Sequence, residues 1–267
     1  MIMQTTFKRG LLAMAAAALA ACGGGNGFDG DDKNPFNGKE VTIRGTVASS
    51  YPATAPAPLG TSNAIAKAAI IANCRSGYGV TDTAADGSYT VKITSPASGP
   101  CVVTATTFQG TALGVPTTIL RSVALGDGSV ANITPLTELL YVYMATQVTT
   151  TALPVLTTTS TAGSVLAINE AFNKIMTTPA LFNASVASVA TVVRTAGGTV
   201  NPLTVPADYL TGAIIARSTV TNAAGNEQSM VLDQLRTRNL INANGYPQTA
   251  TLLTPTITHA TANKVAP

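Results

Sequence analysis

The sequence predicts an α+β protein of more than one domain, with an N-terminal β-sandwich followed by a C-terminal α-helical domain. Two observations support this prediction. Apolar and polar residues alternate with a period of two from Glu40 onward, which is typical of strands with one buried face. After Thr134 the apolar residues recur at the spacing of amphipathic helices. We expect the sandwich over residues 40–128, the helical domain over 129–245 and a loose tail over 246–267.

The predicted strands are separated by turn signals. In the first strand, Val41, Ile43 and Val47 share one face, and the polar residues between them share the other. Asp86-Gly87 and Gly126-Asp127-Gly128 are turn sequences next to later strands. Those later strands are indicated by the sets Ala68, Ile70, Ala72 and Cys74, then Tyr89, Val91 and Ile93, then Cys101, Val103 and Ala105, and finally Ile119 to Leu125.

The helical half opens with a helix-start signal. Thr134 is a suitable N-cap, Pro135 suits the first helical position, and Glu138 lies in the first turn, near the positive end of the helix dipole. Asn132-Ile133-Thr134 has the form of a glycosylation sequon, which we interpret as part of this cap. In this helix, one face is formed by Leu136, Leu139, Leu140 and Tyr143. Three further helices are predicted: one with the apolar stripe Val165, Ile168, Phe172 and Ile175, one that starts at Thr204 and buries Leu210, Ala213 and Ile214, and one from Asn226 to about Ala243 that buries Val231, Leu232 and Leu235 and is ended by Gly245. The stretch from Leu181 to Arg194 fits a helix or a strand.

The N-terminus has the organisation of a secretory signal peptide. Lys8 and Arg9 precede an uncharged run from Gly10 to Ala21, which is too short to span a bilayer as a helix. The junction Leu19-Ala20-Ala21-Cys22 resembles the lipobox of bacterial lipoproteins. The resemblance implies cleavage before Cys22, a diacylglyceryl group on its thiol and a fatty acyl chain such as palmitate on its amino group. The alternative is a conventional secreted protein cut near Ala21, with Cys22 an ordinary thiol.

The lipoprotein resemblance also implies a location. We expect residues 1–21 to be the signal peptide and residues 22–39 to be the acylated cysteine with a flexible tether, because this stretch is rich in glycine and lacks apolar periodicity. Gly23 after the modified cysteine implies sorting to the outer membrane. The predicted partner is therefore the membrane, through the acyl chains on Cys22; which face of the outer membrane carries the protein stays open.

The charge of the chain predicts that the protein does not bind nucleic acid. The whole chain has a formal net charge of +3, and removal of Lys8 and Arg9 with the signal peptide leaves +1. Nucleic-acid binding needs clustered Lys and Arg, and no such cluster is present in the sequence. We predict neither a cofactor nor a metal.

Three cysteines are present in the chain. If Cys22 carries lipid, Cys74 and Cys101 are left, and in an exported protein they most simply form a disulfide. A metal site is the rival interpretation. It would need more ligands than two cysteines, and the single histidine, His259, lies far along the chain.

The first half also resembles the carboxypeptidase regulatory-like domain, a transthyretin-like β-sandwich, over about residues 40–110. The resemblance lies in Gly45-Thr46-Val47, a central strand, the segment Thr81-Asp82 to Asp86-Gly87-x-Tyr89, and a closing strand. These positions are structural in that family, and the fold implies no activity. Asp82 and Asp86 could be read as calcium ligands, but calcium takes six to eight oxygens, and two aspartates beside a turn are more simply turn-formers. The stretch Asn132 to Leu139 resembles a junction found in exported lipoproteins.

No catalytic motif is found. The sequence contains neither Gly-x-Ser-x-Gly nor His-Glu-x-x-His, and a Ser-His-Asp triad would have to use His259. We therefore predict a non-catalytic envelope lipoprotein that binds an envelope protein or glycan, or acts as a spacer. The alternative is a carboxylate-dependent glycan hydrolase with its cleft in the helical half. Its candidate carboxylates are Glu138, Glu170, Asp208, Glu227 and Asp233. A simpler explanation is a first-turn charge for Glu138 and Glu227, a charge at a helix start for Asp208, and a solvated helix face for Glu170 and Asp233.

Overall fold

A computed structural model describes residues 40–50, 63–93, 98–108, 116–148, 170–199, 202–217 and 225–265. The described chain contains both sheets and helices and is therefore an α+β protein. Its strands are β1 (Val41–Thr46), β2 (Ala69–Ser76), β3 (Tyr78–Asp82), β4 (Ser88–Ile93), β5 (Ser98–Phe108) and β6 (Pro116–Ala124). Its helices are α1 (Pro135–Val148), α2 (Glu170–Thr177), α3 (Pro179–Ala196), α4 (Glu227–Thr237), a π-helical turn (Thr249–Leu253) and α5 (Thr254–Ala262).

The strands form two antiparallel sheets. One sheet pairs β1 with β4, and the other has the order β3-β2-β5-β6. The period-two pattern is confirmed in β4, where Tyr89, Val91 and Ile93 are buried while Thr90 and Lys92 are exposed. Alternation of this kind places one face of each sheet against the core.

The outer side of β1 is covered by the segment that leads into α1. The Ala131 N–H donates to the Arg44 carbonyl over 2.8 Å, and the Ile133 N–H donates to the Thr46 carbonyl over 2.9 Å. Isolated parallel bridges at Arg44–Val130 and Val47–Ile133 belong to the same pairing. The chain therefore reaches the start of α1 with its backbone fixed against the first sheet.

Helix α1 is the central helix of the described structure. Every residue from Pro135 to Gln147 is buried, because β6, α3 and α5 all contact this helix. The expectation of one apolar face, carried by Leu136, Leu139, Leu140 and Tyr143, therefore understates its burial. A helix surrounded on all sides needs no polar face.

Helix α4 is shorter than predicted. It ends at Thr237, because Asn239 adopts a left-handed conformation with φ of 55°. The Asn239 N–H donates to the Arg236 carbonyl and the Leu240 N–H to the Leu235 carbonyl, which is the Schellman arrangement that closes a helix. The expectation that Gly245 ends this helix is wrong.

The helix predicted from Thr204 is also wrong. Residues 207–211 make a single turn, with the Thr211 N–H donating to the Asp208 carbonyl over 2.9 Å. The carbonyls that would continue a helix are already bound, because Asn132 donates to Leu210 O from its backbone N–H and to Gly212 O from its side-chain amide. A tertiary contact therefore overrides the local helical spacing.

The C-terminal segment 246–267 differs from the expected loose tail. The π-helical turn and α5 occupy residues 249–262, and Leu252, Leu253, Thr256 and Ala260 are buried. Helix α5 packs on α1. Pro255 suits the beginning of a helix. Although α5 consists mostly of small residues, it is stabilised because it packs against the apolar surface of α1.

Buried residues from both sheets and from the helices form one hydrophobic cluster. The stretch from Leu181 to Arg194, left open between helix and strand, is part of α3. Among the described residues no single helix is long and apolar enough to cross a membrane. The helical segments Ala171–Thr177 and Pro179–Ala196 are long and apolar enough only when they are taken together, and a 90° bend separates them.

Candidate functional site

The most densely connected buried polar group lies where the edge of β6 meets the first turn of α1. We call it the Glu138 cluster, made of Arg121, Thr137, Glu138, Tyr141 and Tyr246. The Arg121 guanidinium forms an ion pair with Glu138, its Nε donating to Glu138 Oε2 over 3.0 Å. Tyr246 donates to Glu138 Oε1 over 3.1 Å, and the Arg121 guanidinium carbon lies 4.2 Å from the centre of the Tyr141 ring.

The same cluster closes the outer edge of β6. At Arg121 the backbone N–H donates to Glu138 Oε2 over 2.7 Å, and the carbonyl accepts from the Thr137 hydroxyl over 2.9 Å. In a longer sheet, a neighbouring strand would satisfy these two backbone groups. Side chains from the first turn of α1 therefore take the place of a further strand at this position.

The charged groups of the Glu138 cluster are almost completely shielded from water. The Glu138 side chain is 0% exposed and that of Arg121 is 5% exposed. Burial alone would lower the pKa of Arg121, but the charge and hydrogen bonds of Glu138 outweigh it and raise that pKa. Burial, together with the nearby Glu138 charge, also raises the pKa of Tyr246. Arg121 therefore stays charged and Tyr246 stays neutral at neutral pH.

The expectation that Glu138 is simply a first-turn charge is therefore incomplete. It does lie in the first turn of α1, but it faces the interior and binds Arg121 and Tyr246. Sequence reasoning missed Arg121 and Tyr246, which lie 17 and 108 positions away along the chain. An arginine inside an apolar strand was the available signal, because a buried arginine needs a partner.

The cap at the start of α1 is reciprocal. The Thr137 N–H donates to the Thr134 hydroxyl over 3.3 Å, and the Thr134 N–H donates to the Thr137 hydroxyl over 2.9 Å. Asn132 is only 1% exposed and has a different role. Its amide donates to Gly212 O over 2.6 Å and its Oδ1 accepts from the Thr46 N–H over 3.1 Å. Asn132 therefore joins β1 to the 207–212 turn.

A second polar cluster surrounds Asp233 on α4. The Arg217 Nε donates to Asp233 Oδ2 over 2.7 Å, while the Ser50 hydroxyl and the Asn63 amide donate to Oδ1 over 2.7 and 3.0 Å. The expectation of a solvated face is wrong here, because the Asp233 side chain is only 29% exposed. Burial raises the pKa of Asp233, but the hydrogen bonds from Arg217, Ser50 and Asn63 outweigh it and leave that pKa lowered.

The other hydrolase candidates occupy separate places. Asp208 is exposed and accepts from the Gln228 amide over 2.8 Å, and no helix starts at it. Glu227 is exposed in the first turn of α4. Glu170 is the first residue of α2. Glu138, Asp208 and Asp233 each bind a different set of partners.

His259 lies on α5 against α1. Its Nδ1 is 3.3 Å from the Tyr143 hydroxyl and 3.4 Å from the Asn263 amide nitrogen, and the Tyr143 and His259 ring centres are 5.8 Å apart. Neither contact is the serine or aspartate of a triad. Within the described ranges, no group of three or more His, Cys, Asp or Glu residues could hold a metal ion.

Asp86 acts within its turn. Its Oδ1 accepts from both the N–H and the hydroxyl of Ser88, over 3.0 and 2.6 Å. These hydrogen bonds lower the pKa of Asp86. Gly87 follows with a φ of 77°, a conformation that favours glycine. This geometry agrees with the turn-forming interpretation of Asp86.

The predicted disulfide between Cys74 and Cys101 is present. The two cysteines are direct partners in the β2–β5 register, so the bridge joins neighbouring strands of one sheet and does not cross between layers. Cys101 is buried, whereas Cys74 is half-buried. Cys22 lies outside the described residues.

No protein-family model matches this chain, and neither a curated protein nor a solved structure matches it. The described polar clusters connect strands, turns and helices that are far apart in sequence. In both clusters the carboxylate is bound by donors from the protein itself.

Proposed function

We propose that this protein is a lipid-anchored lipoprotein of the bacterial cell envelope, with a non-catalytic binding or structural role. The observation that carries the proposal is the junction Leu19-Ala20-Ala21-Cys22 at the end of a short apolar run. The disulfide between Cys74 and Cys101 supports an exported location, because disulfides persist in oxidising compartments. Gly23 favours the outer membrane.

We further propose that residues 40–128 form a carboxypeptidase regulatory-like β-sandwich and that the helices pack beside it. Two antiparallel sheets with alternating burial support this assignment. So does the position of Gly45, where an added Cβ would overlap the Ala131 carbonyl and press on the Tyr89 ring. A glycine at this position of the quoted Gly-x-Val sequence is thus required for close packing.

The non-catalytic role is supported by the way the carboxylates are engaged. Glu138 is enclosed with Arg121, and Asp233 binds Arg217, Ser50 and Asn63. A glycosidase pair would need two carboxyl groups across a cleft, one to donate a proton and one to act as base or nucleophile. We infer that the protein contributes a folded body to the envelope, where its partner is an envelope protein or glycan.

Membrane fractionation of the Cys22→Ser variant tests the anchor. We expect the wild-type protein to remain with the membrane and to carry the added mass of fatty acyl chains. The variant should be soluble and unacylated, because several acyl chains hold a protein firmly at about 0.8 kcal/mol per buried CH₂ group. Membrane retention of the variant with no added acyl mass on the wild type would refute the proposal.

Two further measurements test the proposed oxidising location and the proposed binding role. Intact-mass measurement with and without reductant should differ by two hydrogens for the Cys74–Cys101 bridge, and free thiols in the exported protein would contradict the oxidising location. Crosslinking in intact envelopes followed by purification should recover an envelope protein or glycan. Recovery of the lipoprotein alone would favour a spacer role.

A further inference from the structure

The chain end that leads toward Cys22 lies at one particular end of the two sheets. Glu40, the first described residue, directly precedes β1, whose Val41 pairs with Ile93 at the end of β4. The turn after β6 reaches the same place, because the Gly128 N–H donates to Thr42 O over 2.9 Å and the Thr42 N–H donates to Asp127 Oδ1 over 2.8 Å. The start of β1 and the end of β6 are therefore neighbours.

The register of the second sheet brings the start of β3 to this end as well. Cys74, Cys101 and Ala124 form one row across β2, β5 and β6, and Tyr78 pairs with Asn73 in the adjoining row. We call this the anchor-proximal end and define it by Glu40, Arg75, Tyr78, Val80 and Leu125. It is the end of the sheets from which the chain continues toward the lipobox cysteine.

Exposed apolar side chains concentrate at the anchor-proximal end. Of the five large apolar side chains exposed in the described structure, three are here: Tyr78 at 55%, Val80 at 63% and Leu125 at 48%. Tyr78 and Val80 lie on the same face of β3, because side chains two positions apart in a strand point the same way. The exposed Arg75 lies near the end of β2, three residues before Tyr78. The other two, Ile215 and Met230, lie in the C-terminal part of the chain.

We propose that the anchor-proximal end rests on the lipid bilayer, with Tyr78, Val80 and Leu125 in its interfacial region. This inference depends on the proposed acylation of Cys22. The 17 residues 23–39 separate Cys22 from Glu40, and a glycine-rich tether of that length spans about 23 Å on average. This span is similar to the radius of gyration expected for a folded protein of this size, about 17 Å. The tether thus holds this end at the membrane.

The composition of the surface fits a lipid interface. Tyrosine is enriched at the level of the lipid headgroups, where its ring is apolar and its hydroxyl is polar. Arginine and lysine can keep their charges among the headgroup phosphates while their stems cover apolar surface. Arg75 lies near the end of β2, and Lys92 forms an exposed ion pair with Glu40 at the same end of the sheets.

Hydroxyl-radical footprinting of the acylated full-length product tests this orientation. The protein is reconstituted in vesicles of phosphatidylethanolamine and phosphatidylglycerol, and the Cys22→Ser protein with the same vesicles is the reference. We expect Tyr78 and Leu125 to be modified about threefold more slowly on the vesicles, because a side chain in the interface loses most of its contact with water. Met230 and Ile215 should be modified at equal rates in both samples.

A pair of matched variants separates direct contact from a general effect of the surface. Val80→Ser combined with Leu125→Ser should remove the protection of Tyr78, whereas Ile215→Ser should leave it intact. Equal modification of Tyr78 on and off the vesicles, in protein whose mass confirms acylation, would overturn this inference alone. Missing acyl mass would overturn the proposed function with it. Protection that rises with the protein-to-lipid ratio would assign the surface to a second copy and reject the lipid interface.

Discussion

Glu138 and Asp233 are both carboxylates that bind an arginine and accept a hydrogen bond from a hydroxyl group, yet their surroundings differ. The Glu138 side chain is 0% exposed and its Arg121 partner 5%, whereas Asp233 and Arg217 are 29% and 35% exposed. Water therefore screens the second pair and not the first. An ion pair between a carboxylate and an arginine is therefore expected to contribute more to stability when it is enclosed, as at Glu138, than when it is partly exposed, as at Asp233.

The buried pair should respond most strongly to substitution. Glu138→Ala is expected to destabilise the protein by about 3–5 kcal/mol, because it leaves the Arg121 guanidinium and backbone N–H buried without their acceptor. Urea unfolding followed by circular dichroism measures the loss. The matched control is Glu227→Ala, which removes an exposed first-turn glutamate from α4 and should cost less than about 1 kcal/mol. Equal losses for the two variants would show that the burial of Glu138 does not increase its contribution to stability.

Tyr246→Phe should have an intermediate effect. It removes only the hydroxyl that donates to Glu138 Oε1 and keeps the ring, so we expect a loss of about 1.5–3 kcal/mol, the range for a hydrogen bond to a charged group. The measurement is the same unfolding experiment. Combining Tyr246→Phe with Glu138→Ala should cost less than the sum of the single changes, and strict additivity would show that the two side chains do not act together.

The half-buried pair should respond least. Asp233→Asn is expected to cost under about 1 kcal/mol at neutral pH, because Arg217 remains partly hydrated. A lowered folded-state pKa means that Asp233 stabilises the protein above its ordinary pKa of 3.8, and that this contribution is lost as the pH falls through the lower folded value. Unfolding measured across the acid range should therefore show a shallower decline for the variant. Parallel curves would contradict the assigned role of Asp233.

Several features of the fold could be predicted from short stretches of sequence. The alternation in β1 and β4, the start of α1 at Pro135 and the turn at Asp86-Gly87 each depend on neighbours within a few positions. The pairing of Cys74 with Cys101 was predicted once Cys22, the third cysteine, had been assigned to lipid. The proposed anchor at Cys22 likewise comes from a local pattern.

The sequence by itself determined the period of each element and the residues that begin it, because backbone preferences, caps and turns act over a few residues. Tertiary structure alone decided that Glu138 turns inward to Arg121 and Tyr246, and that Asn132 stops a helix from forming after Thr204. It also decided that the C-terminal segment packs on α1. These outcomes depend on surfaces and hydrogen-bonding groups that come together from distant parts of the chain. A local sequence pattern does not predict which of these distant groups will meet.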